Sequence, residues 1–568
     1  MSSEDFQVTG TSKAALFTLK LHRGDGMCLV AMNWKKGKPP PDFVGFAIES
    51  KPPDQNKFFP LNNRVTFPTE GGEVNPLQLS TLVSPIQKFR WVHFPRNANL
   101  DGDFTYRVTP IFMDDEDRLS QGDPQEAVIE LRRETYPGQL NVTFTRGFVS
   151  SQAFVDRFEK FGPIKTLLPA KADQGLKFKP THPQTEKALA WMGFEARETI
   201  LDLLDQAIKD KADVRVIAYD LSEPEVVGRL EKIGKRLRII IDDSKEHGGT
   251  TSGESQAAKR LIKSAGKANV KRQHMKSLQH NKSIMVSGPT VKKVVFGSTN
   301  LSWRGLYVQA NNALVVEGAK PVALAFSAFD NYFDNEKTFD DTESAEMVDL
   351  GLKNINAKVA FSPHSKANSL LDQIGEDIAG TTSCLFYSLA FLAITPGVIK
   401  ETIKKVSKQK GIFVYGIADK KVGGIDLQMP NGNIAPVFAA ALDKNIPAPF
   451  NKEPTGGGGN RMHHKFVVID FDKPTARVYL GSYNFSIPAD QKNGENLLLI
   501  RDRRVAVSYT IEALRIFDHY HFRIAQREAK KARKKLQLAK PPRQRGEKPW
   551  WDDDYTDPRK IRDRELFA

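Results

Sequence analysis

Two short stretches of the chain place a lysine two residues after a histidine. LQHNKSIMVSG carries His280 and Lys282, and RMHHKFVVID carries His463, Lys465 and, at its end, Asp470. Each is followed by a glycine–serine pair and an asparagine: Gly297, Ser298 and Asn300 in KKVVFGSTN, Gly481, Ser482 and Asn484 in ARVYLGSYN. From histidine to glycine the interval is 17 residues in one copy and 18 in the other. Eleven residues beyond the two asparagines stand Asn311 and Glu495. These residue types suit phosphodiester chemistry, in which a site must neutralise an anion, supply a nucleophile and protonate a leaving oxygen. Lys282 and Lys465 can bind nonbridging oxygens, joined by the amides of Asn300 and Asn484 and the hydroxyls of Ser298 and Ser482. Of two imidazoles flanking one phosphorus, one can attack in line while the other, protonated, serves as general acid. The first then carries a phosphohistidine, and the second activates the water that releases it. Such a site asks for no metal and no cofactor, and the sequence shows no carboxylate cluster that would hold a metal.

A lone histidine beside an apolar strand is usually structural, so the weight rests on the duplication in register. Alternation along a strand puts His463 and Lys465 on one face and His464 on the other. His464 is therefore expected to be structural, and the first copy has Asn281 in its place.

The pattern His-x-Lys, four spacers, Asp, then Gly-Ser-x-Asn, resembles the signature of the phospholipase D superfamily. The resemblance covers roughly residues 141 to 525 and implies a metal-independent phosphodiesterase whose two motifs meet across a pseudo-twofold axis. It implies His280, Lys282, His463, Lys465, Asp470 and Glu495 as catalytic residues. The first copy departs from the pattern: Ser287 stands where the aspartate would follow, and Asn311 stands where the second copy has Glu495. In the family an acid near the latter position orients the imidazole. With Asn311 as the partner of His280, that ring is expected to be the less basic of the two. Family precedent makes the N-terminal histidine the nucleophile and this local chemistry favours His463, so both assignments stay open. The departure also admits a chain that holds phosphate as a scaffold without turning it over.

Two matching α/β halves are needed to carry the two copies, and the sequence supplies them. In the first, KALAWMGFEARETILDLLDQAIKD reads as an amphipathic helix, DVRVIAYDL as a strand, PEVVGRLEKIG as a helix and RLRIIIDDS as a buried strand. In the second, SCLFYSLAFLAI reads as a strand, PGVIKETIKKVSKQKG as a helix and IFVYGIADKK as a strand ending in Asp419. Ahead of them, ALFTLKLH, MCLVAMNW, FVGFAIES, FRWVHFP, FTYRVTPIF and AVIELRR are short strand-like runs separated by Pro, Gly and Asp clusters. They predict a β-sandwich over 1–140 that loosely resembles a fibronectin type III or immunoglobulin-like module through strand rhythm and the Trp91 and Tyr106 region. The expected fold is thus a multidomain chain: an all-β sandwich (1–140), a duplicated α/β core (141–350 and 351–525) and a basic C-terminal helix and tail (526–568). TGGGGN at 455–460 reads as a surface loop before the second motif, and WWDDDYTDPRK as a segment that either folds back through Trp550 and Trp551 or engages a partner.

The chain is long enough, at 568 residues, for two to four domains. Cys28 and Cys384 are its only cysteines, which argues against a disulfide framework or a zinc site and fits a reducing compartment. No basic leader precedes an apolar core, and the longest apolar run is too short to span a bilayer, so a cytoplasmic protein is expected. The net charge of +15 is concentrated: residues 255–293 hold ten basic and no acidic residues, and residues 521–548 carry +9. A polyanionic substrate is suggested. Nucleic acid accounts for both stretches. A phospholipid is the alternative, with Trp303 and Phe485 as candidates for contacting acyl chains.

Overall fold

The structure, a computed structural model, describes residues 5–68, 78–95, 97–98, 100–132, 134–146, 154, 157–169, 172–392, 395–418, 462–531 and 536–568. Asp419 and the TGGGGN loop lie outside them. The chain forms two compact units.

The first unit combines the N-terminal residues with those from 507 to 568. Its strands are β1 (Gln7–Thr9), β2 (Phe17–Arg23), β3 (Cys28–Trp34), β4 (Phe43–Lys51), β5 (Phe59–Pro60), β6 (Arg90–His93), β7 (Asp103–Met113), β8 (Leu119–Gln121) and β9 (Gln125–Glu130). They make a four-stranded sheet, β1-β2-β3-β6, and a five-stranded one, β5-β4-β7-β8 with β9 on β7. Each of the six apolar runs read from the sequence forms one of these strands. Phe17, Leu19, Leu21, Val30, Phe43, Phe46, Phe104 and Tyr106 share one core, as alternation requires. The basic tail is no separate domain, which corrects the expected boundary at 526. Trp551 joins that core, and Trp550 donates its Nε1 hydrogen to the carbonyl of Phe43 at 3.0 Å. The WWDDDYTDPRK segment therefore folds back. Both cysteines are free and buried.

The second unit holds the two α/β halves. The first half uses β10 (Leu140–Phe144), β11 (Asp213–Ala218), β12 (Leu237–Asp242), β13 (Val270–Gln273), β14 (Ser283–Ser287), β15 (Lys292–Gly297) and β16 (Asn312–Glu317). The second uses β17 (Val348–Asp349), β18 (Asn356–Ser362), β19 (Cys384–Leu389), β20 (Phe413–Ile417), β21 (Lys465–Ile469), β22 (Arg477–Gly481) and β23 (Glu495–Arg501). Sheet orders are β10-β16-β15-β14-β11-β12-β13 and β17-β18-β23-β22-β21-β19-β20. Over six strands the two orders coincide, with β10, β16, β15, β14, β11 and β12 matching β18, β23, β22, β21, β19 and β20. In both halves two parallel strands sit beside an antiparallel meander that carries the histidine motif. Helices start where the sequence offers caps: Glu223 accepts from the amide of Val226 ahead of Pro224–Ile233, and Ser252 from Ser255 ahead of Gly253–Ala265. Among the described residues no helix is long and apolar enough to cross a membrane.

Because Trp551 is 5 % exposed within the β core, Trp551→Ala is expected to cost that unit about 3 kcal/mol. Hydrogen exchange read on β2 and β4 checks this. A C-terminal segment that merely lay on the surface would leave their protection unchanged.

Candidate active site

The glycines of the two Gly-Ser-x-Asn motifs end β15 and β22 with positive φ, +132° at Gly297 and +141° at Gly481. A Cβ there would meet the Asn312 and Asn496 carbonyls at 2.5 and 2.2 Å, so only glycine lets the strands approach. The Ser298 amide then donates to the side-chain oxygen of Asn312 at 3.3 Å, and that of Ser482 to Asn496 at 3.2 Å. A second serine in each motif, Ser302 and Ser486, caps the short helix that follows. These two helices repeat in the two halves because the GSxNxS spacing does.

The histidines precede their strands rather than lying in them. Backbone bridges join Gln279 to Gly494 and Ala310 to Met462, so the lead-in to each motif pairs with the segment before β23 or β16 of the opposite half. This crossing sets the partners of the imidazoles. His280 Nδ1 donates to both carboxylate oxygens of Glu495, at 2.8 and 2.9 Å. His463 Nδ1 donates to Asn311 Oδ1 at 2.8 Å and lies 3.1 Å from the Ser298 carbonyl. The expected pairing of His280 with Asn311 is thereby corrected. The second half supplies the carboxylate of the first-half histidine, and the reasoning that made His280 the less basic ring fails with it.

With both Nδ1 atoms donating, neither Nε2 has a hydrogen-bond partner among the described residues, and the ring centroids stand 6.2 Å apart. Burial lowers His280 to about 4, despite the opposing pull of Glu495. Burial, followed by the charges of Lys465 and Lys282, pushes His463 well below its ordinary value. Both rings are neutral in the free site. Lys282 donates to the carbonyl of His280 and Lys465 to that of His463, the latter at 2.7 Å. Burial brings Lys282 down to about 8.

The remaining expected site residues divide. Asn300 and Asn484 each keep a buried side-chain oxygen with no hydrogen-bond partner among the described residues. Ser298 and Ser482 do not point their hydroxyls at a ligand: they donate to Asn311 at 2.9 Å and to Glu495 at 2.7 Å, bracing the groups that hold the histidines. Asp470 is not brought to the imidazoles. Its carboxylate accepts the amides of Thr382, Ser383 and Cys384 just before β19, at 2.7 to 3.1 Å. The first half closes the same junction from the other side, Asp210 before β11 accepting the amides of Thr290 and Val291 beyond β14, each at 2.9 Å. Ser287 can therefore replace an aspartate without loss of the clasp. His464 is buried with its ring against Phe144 and Phe466. Trp303 and Phe485 are corrected to core residues: Trp303 donates to the Gly175 carbonyl at 2.9 Å, and Phe485 packs on Tyr483.

Several residues escaped the sequence reading. Asn496 donates to Asn281 across the halves at 2.7 Å. Asp242, at the end of β12, accepts the amide of Gln279 at 2.7 Å and so fixes the residue before His280. It also accepts from His247 Nδ1 at 2.7 Å, while His247 Nε2 meets Asp220 at 3.1 Å. The expectation that the chain lacks a cluster of metal-ligand type is corrected, since atoms of Asp220, His247 and Glu254 lie within 4.8 Å of one another. Burial opposes protonation of His247, yet its bonds to Asp220 and Asp242 push it up to about 10. The protonated ring is thus the cation of this cluster. No spacing motif in the sequence signals it, because Asp220 follows one strand, Asp242 ends the next, His247 lies in the connection after it and Glu254 on the following helix.

The basic stretch is partly consumed internally. Arg260 pairs with Glu231, Lys271 with Glu336, Lys276 with Asp340 and Lys293 with Glu317. Lys259, Lys263 and Lys267 stay exposed, four residues apart along and just beyond the helix Gly253–Ala265.

The family described as "Cardiolipin synthase, PLD-like domain" matches residues 189–336 and 380–517. A phospholipase D of Rickettsia prowazekii (strain Madrid E) is 47 % identical over 47 residues, 8 % of this chain and 21 % of its own length. A mitochondrial cardiolipin hydrolase of Xenopus tropicalis is 39 % identical over 59 residues, 10 % and 26 % of the two chains. The chain thus spans about a fifth to a quarter of these curated relatives. Among solved structures, phosphatidylserine synthase of Haemophilus influenzae Rd KW20 covers 60 % of this chain and 92 % of its own, with 13 % identity and a TM-score of 0.41. Nuc of Salmonella typhimurium, a phospholipase D family member, covers 30 % and 96 %, with 21 % identity and a TM-score of 0.18.

Two outcomes follow from the buried polar groups. Asp470→Ala removes the shared acceptor of three amides and is expected to destabilise the α/β unit by roughly 3 kcal/mol in urea unfolding, whereas Asp210→Ala costs less. The lowered histidines also make stability depend on pH. An unfolded imidazole binds its proton near pH 6.5, but folded His280 refuses it until about 4. Stability is therefore full above pH 6.5 and falls between 6.5 and 4, by on the order of 3 kcal/mol from His280 alone. His463 acts in the same direction, and His280→Ala should flatten the slope of unfolding free energy against pH.

Proposed function

The chain belongs to the family of cardiolipin synthase PLD-like domains, and on that premise we propose that it is a phosphodiesterase working through a phosphohistidine on His280. The observation that carries the proposal is the asymmetry of the two imidazole partners, a carboxylate for His280 and an amide for His463. Attack by Nε2 turns His280 into a cationic N-phosphoryl imidazolium, and Glu495 at its Nδ1 stabilises that charge as it forms. Asn311 fixes the tautomer of His463 but adds no negative charge, which leaves the protonated ring a stronger acid.

Substrate binding lets His463 take up from solvent the proton it lacks in the free site. Lys282 and Lys465 push its basicity down. An anionic phosphodiester held by these lysines and by the amides of Asn300 and Asn484 cancels that push, so the ring can carry a proton to the departing alkoxide. Neutral again, it takes a proton from the water that attacks the phosphohistidine, and His280 is released.

Nucleic acid is the substrate this reading favours. The open lysines 259, 263 and 267 lie along and beyond a helix whose first turn carries Glu254, next to Asp220 and the Lys282 side of the site. They offer phosphate contacts leading toward the histidines. The aromatic residues that would have favoured acyl chains, Trp303 and Phe485, are in the core.

Aryl and alkyl diesters separate the two histidine roles. With the p-nitrophenyl ester of thymidine 5′-monophosphate, His463→Ala is expected to release about one nitrophenolate per site and then stall, because that leaving group needs no acid. With a dinucleotide the same variant should lose 10²- to 10⁴-fold, roughly the worth of a general acid. His280→Ala should show no burst and lose turnover on both. A His280→Ala enzyme that still turned over would refute the proposal, and release of lipid headgroup from anionic liposomes without cutting of single-stranded DNA or RNA would overturn the substrate.

A further inference from the structure

The pseudo-twofold relation breaks at one wall of the site. Ile217 lies opposite Ser283, and Leu389 lies opposite Lys465. Counting onward from these pairs, Ala218 matches Leu389, Tyr219 matches Ala390 and Asp220 matches Phe391. Each motif lysine has an aromatic neighbour: Lys282 Nζ stands 4.7 Å from the ring centroid of Tyr219, and Lys465 Nζ stands 5.7 Å from that of Phe391. At the third of these matched positions the N-terminal half has the carboxylate of Asp220 where the C-terminal half has the ring of Phe391.

We propose that Asp220 is the acceptor of a specificity subsite, binding a hydrogen-bond donor, ammonium or hydroxyl, on the alcohol moiety seated against the N-terminal half. The inference rests on the phosphodiesterase reading and deepens it. One oxygen of Asp220 is fixed by His247 at 3.1 Å, and His247 is fixed in turn by Asp242 at 2.7 Å. The other oxygen has the Ser302 hydroxyl at 3.5 Å, the outer limit of a hydrogen bond. Asp220 is 22 % exposed where Asp242 is fully buried, so the array leads from the interior to an accessible carboxylate. The Tyr219 ring lies against both His247 and His280, at 4.4 and 4.7 Å between centroids, which places the array directly beside one of the reacting imidazoles.

Electrostatics gives this carboxylate a consequence. Asp220 supports the ammonium of Lys282, a group assigned to hold the phosphate. The protonated His247 already balances the charge of Asp220 on one side, so an ester gains at this place only by bringing a donor to the other oxygen.

Three phosphate monoesters test the subsite without any turnover: methyl phosphate, phosphoethanolamine and thymidine 5′-monophosphate, titrated calorimetrically into the full chain. At least one of the two donor-bearing esters is expected to bind about tenfold tighter than methyl phosphate. Preference for phosphoethanolamine would identify a headgroup ammonium, and preference for thymidine 5′-monophosphate a nucleoside. Asp220→Asn, with Asp220→Ser as a second variant, should bring the ratio to within about twofold. Equal binding of the three, no binding of any, or a preference that survives in both variants overturns the inference. A chain that shows the ratio but cleaves no diester would refute the phosphodiesterase reading and leave the subsite standing.

Discussion

The hydrogen bond from His280 to Glu495 is the constraint on which the site depends. Burial and two nearby lysines keep this imidazole uncharged, and in the proposed mechanism a carboxylate reaching it from the opposite half permits it to become a cation. The bond is possible only because backbone bridges at Gln279–Gly494 and Ala310–Met462 pull each motif across to the other half. Neither half holds a complete site alone. The partners of both imidazoles are therefore set where the two halves meet.

Within this frame the two halves have diverged in what surrounds the same backbone. Glu495 and Asn311 occupy matched positions with different charge, as do Asp220 and Phe391. Asp470 and Asp210 close matched junctions from opposite sides. Sheet order and glycine geometry are kept, while charge is redistributed, so one scaffold gives the two imidazoles unlike partners.

Much of this was legible in the sequence. Spacing alone found His280, Lys282, His463 and Lys465, and alternation found the six strands of the N-terminal unit, because both depend on residues near one another in the chain. What it missed depends on distant partners. Glu495 was assigned to the wrong histidine because the crossing of the halves has no local signature. The positive run at 255–293 overstated the open charge, because Glu231, Glu336, Asp340 and Glu317 lie outside that window. Asp470 reads as catalytic by proximity to the motif, yet at the far end of a buried strand its carboxylate can reach only the amides before β19. Trp551 could not be placed from sequence, since the core it enters is built almost entirely from residues before 132.

Mass spectrometry of the enzyme quenched during turnover of the p-nitrophenyl ester of thymidine 5′-monophosphate tests the central claim most directly. The crossed carboxylate predicts a thymidylyl adduct on His280, reduced in Glu495→Gln and absent from His463. An adduct carried by His463, with His280 unmodified, would contradict it.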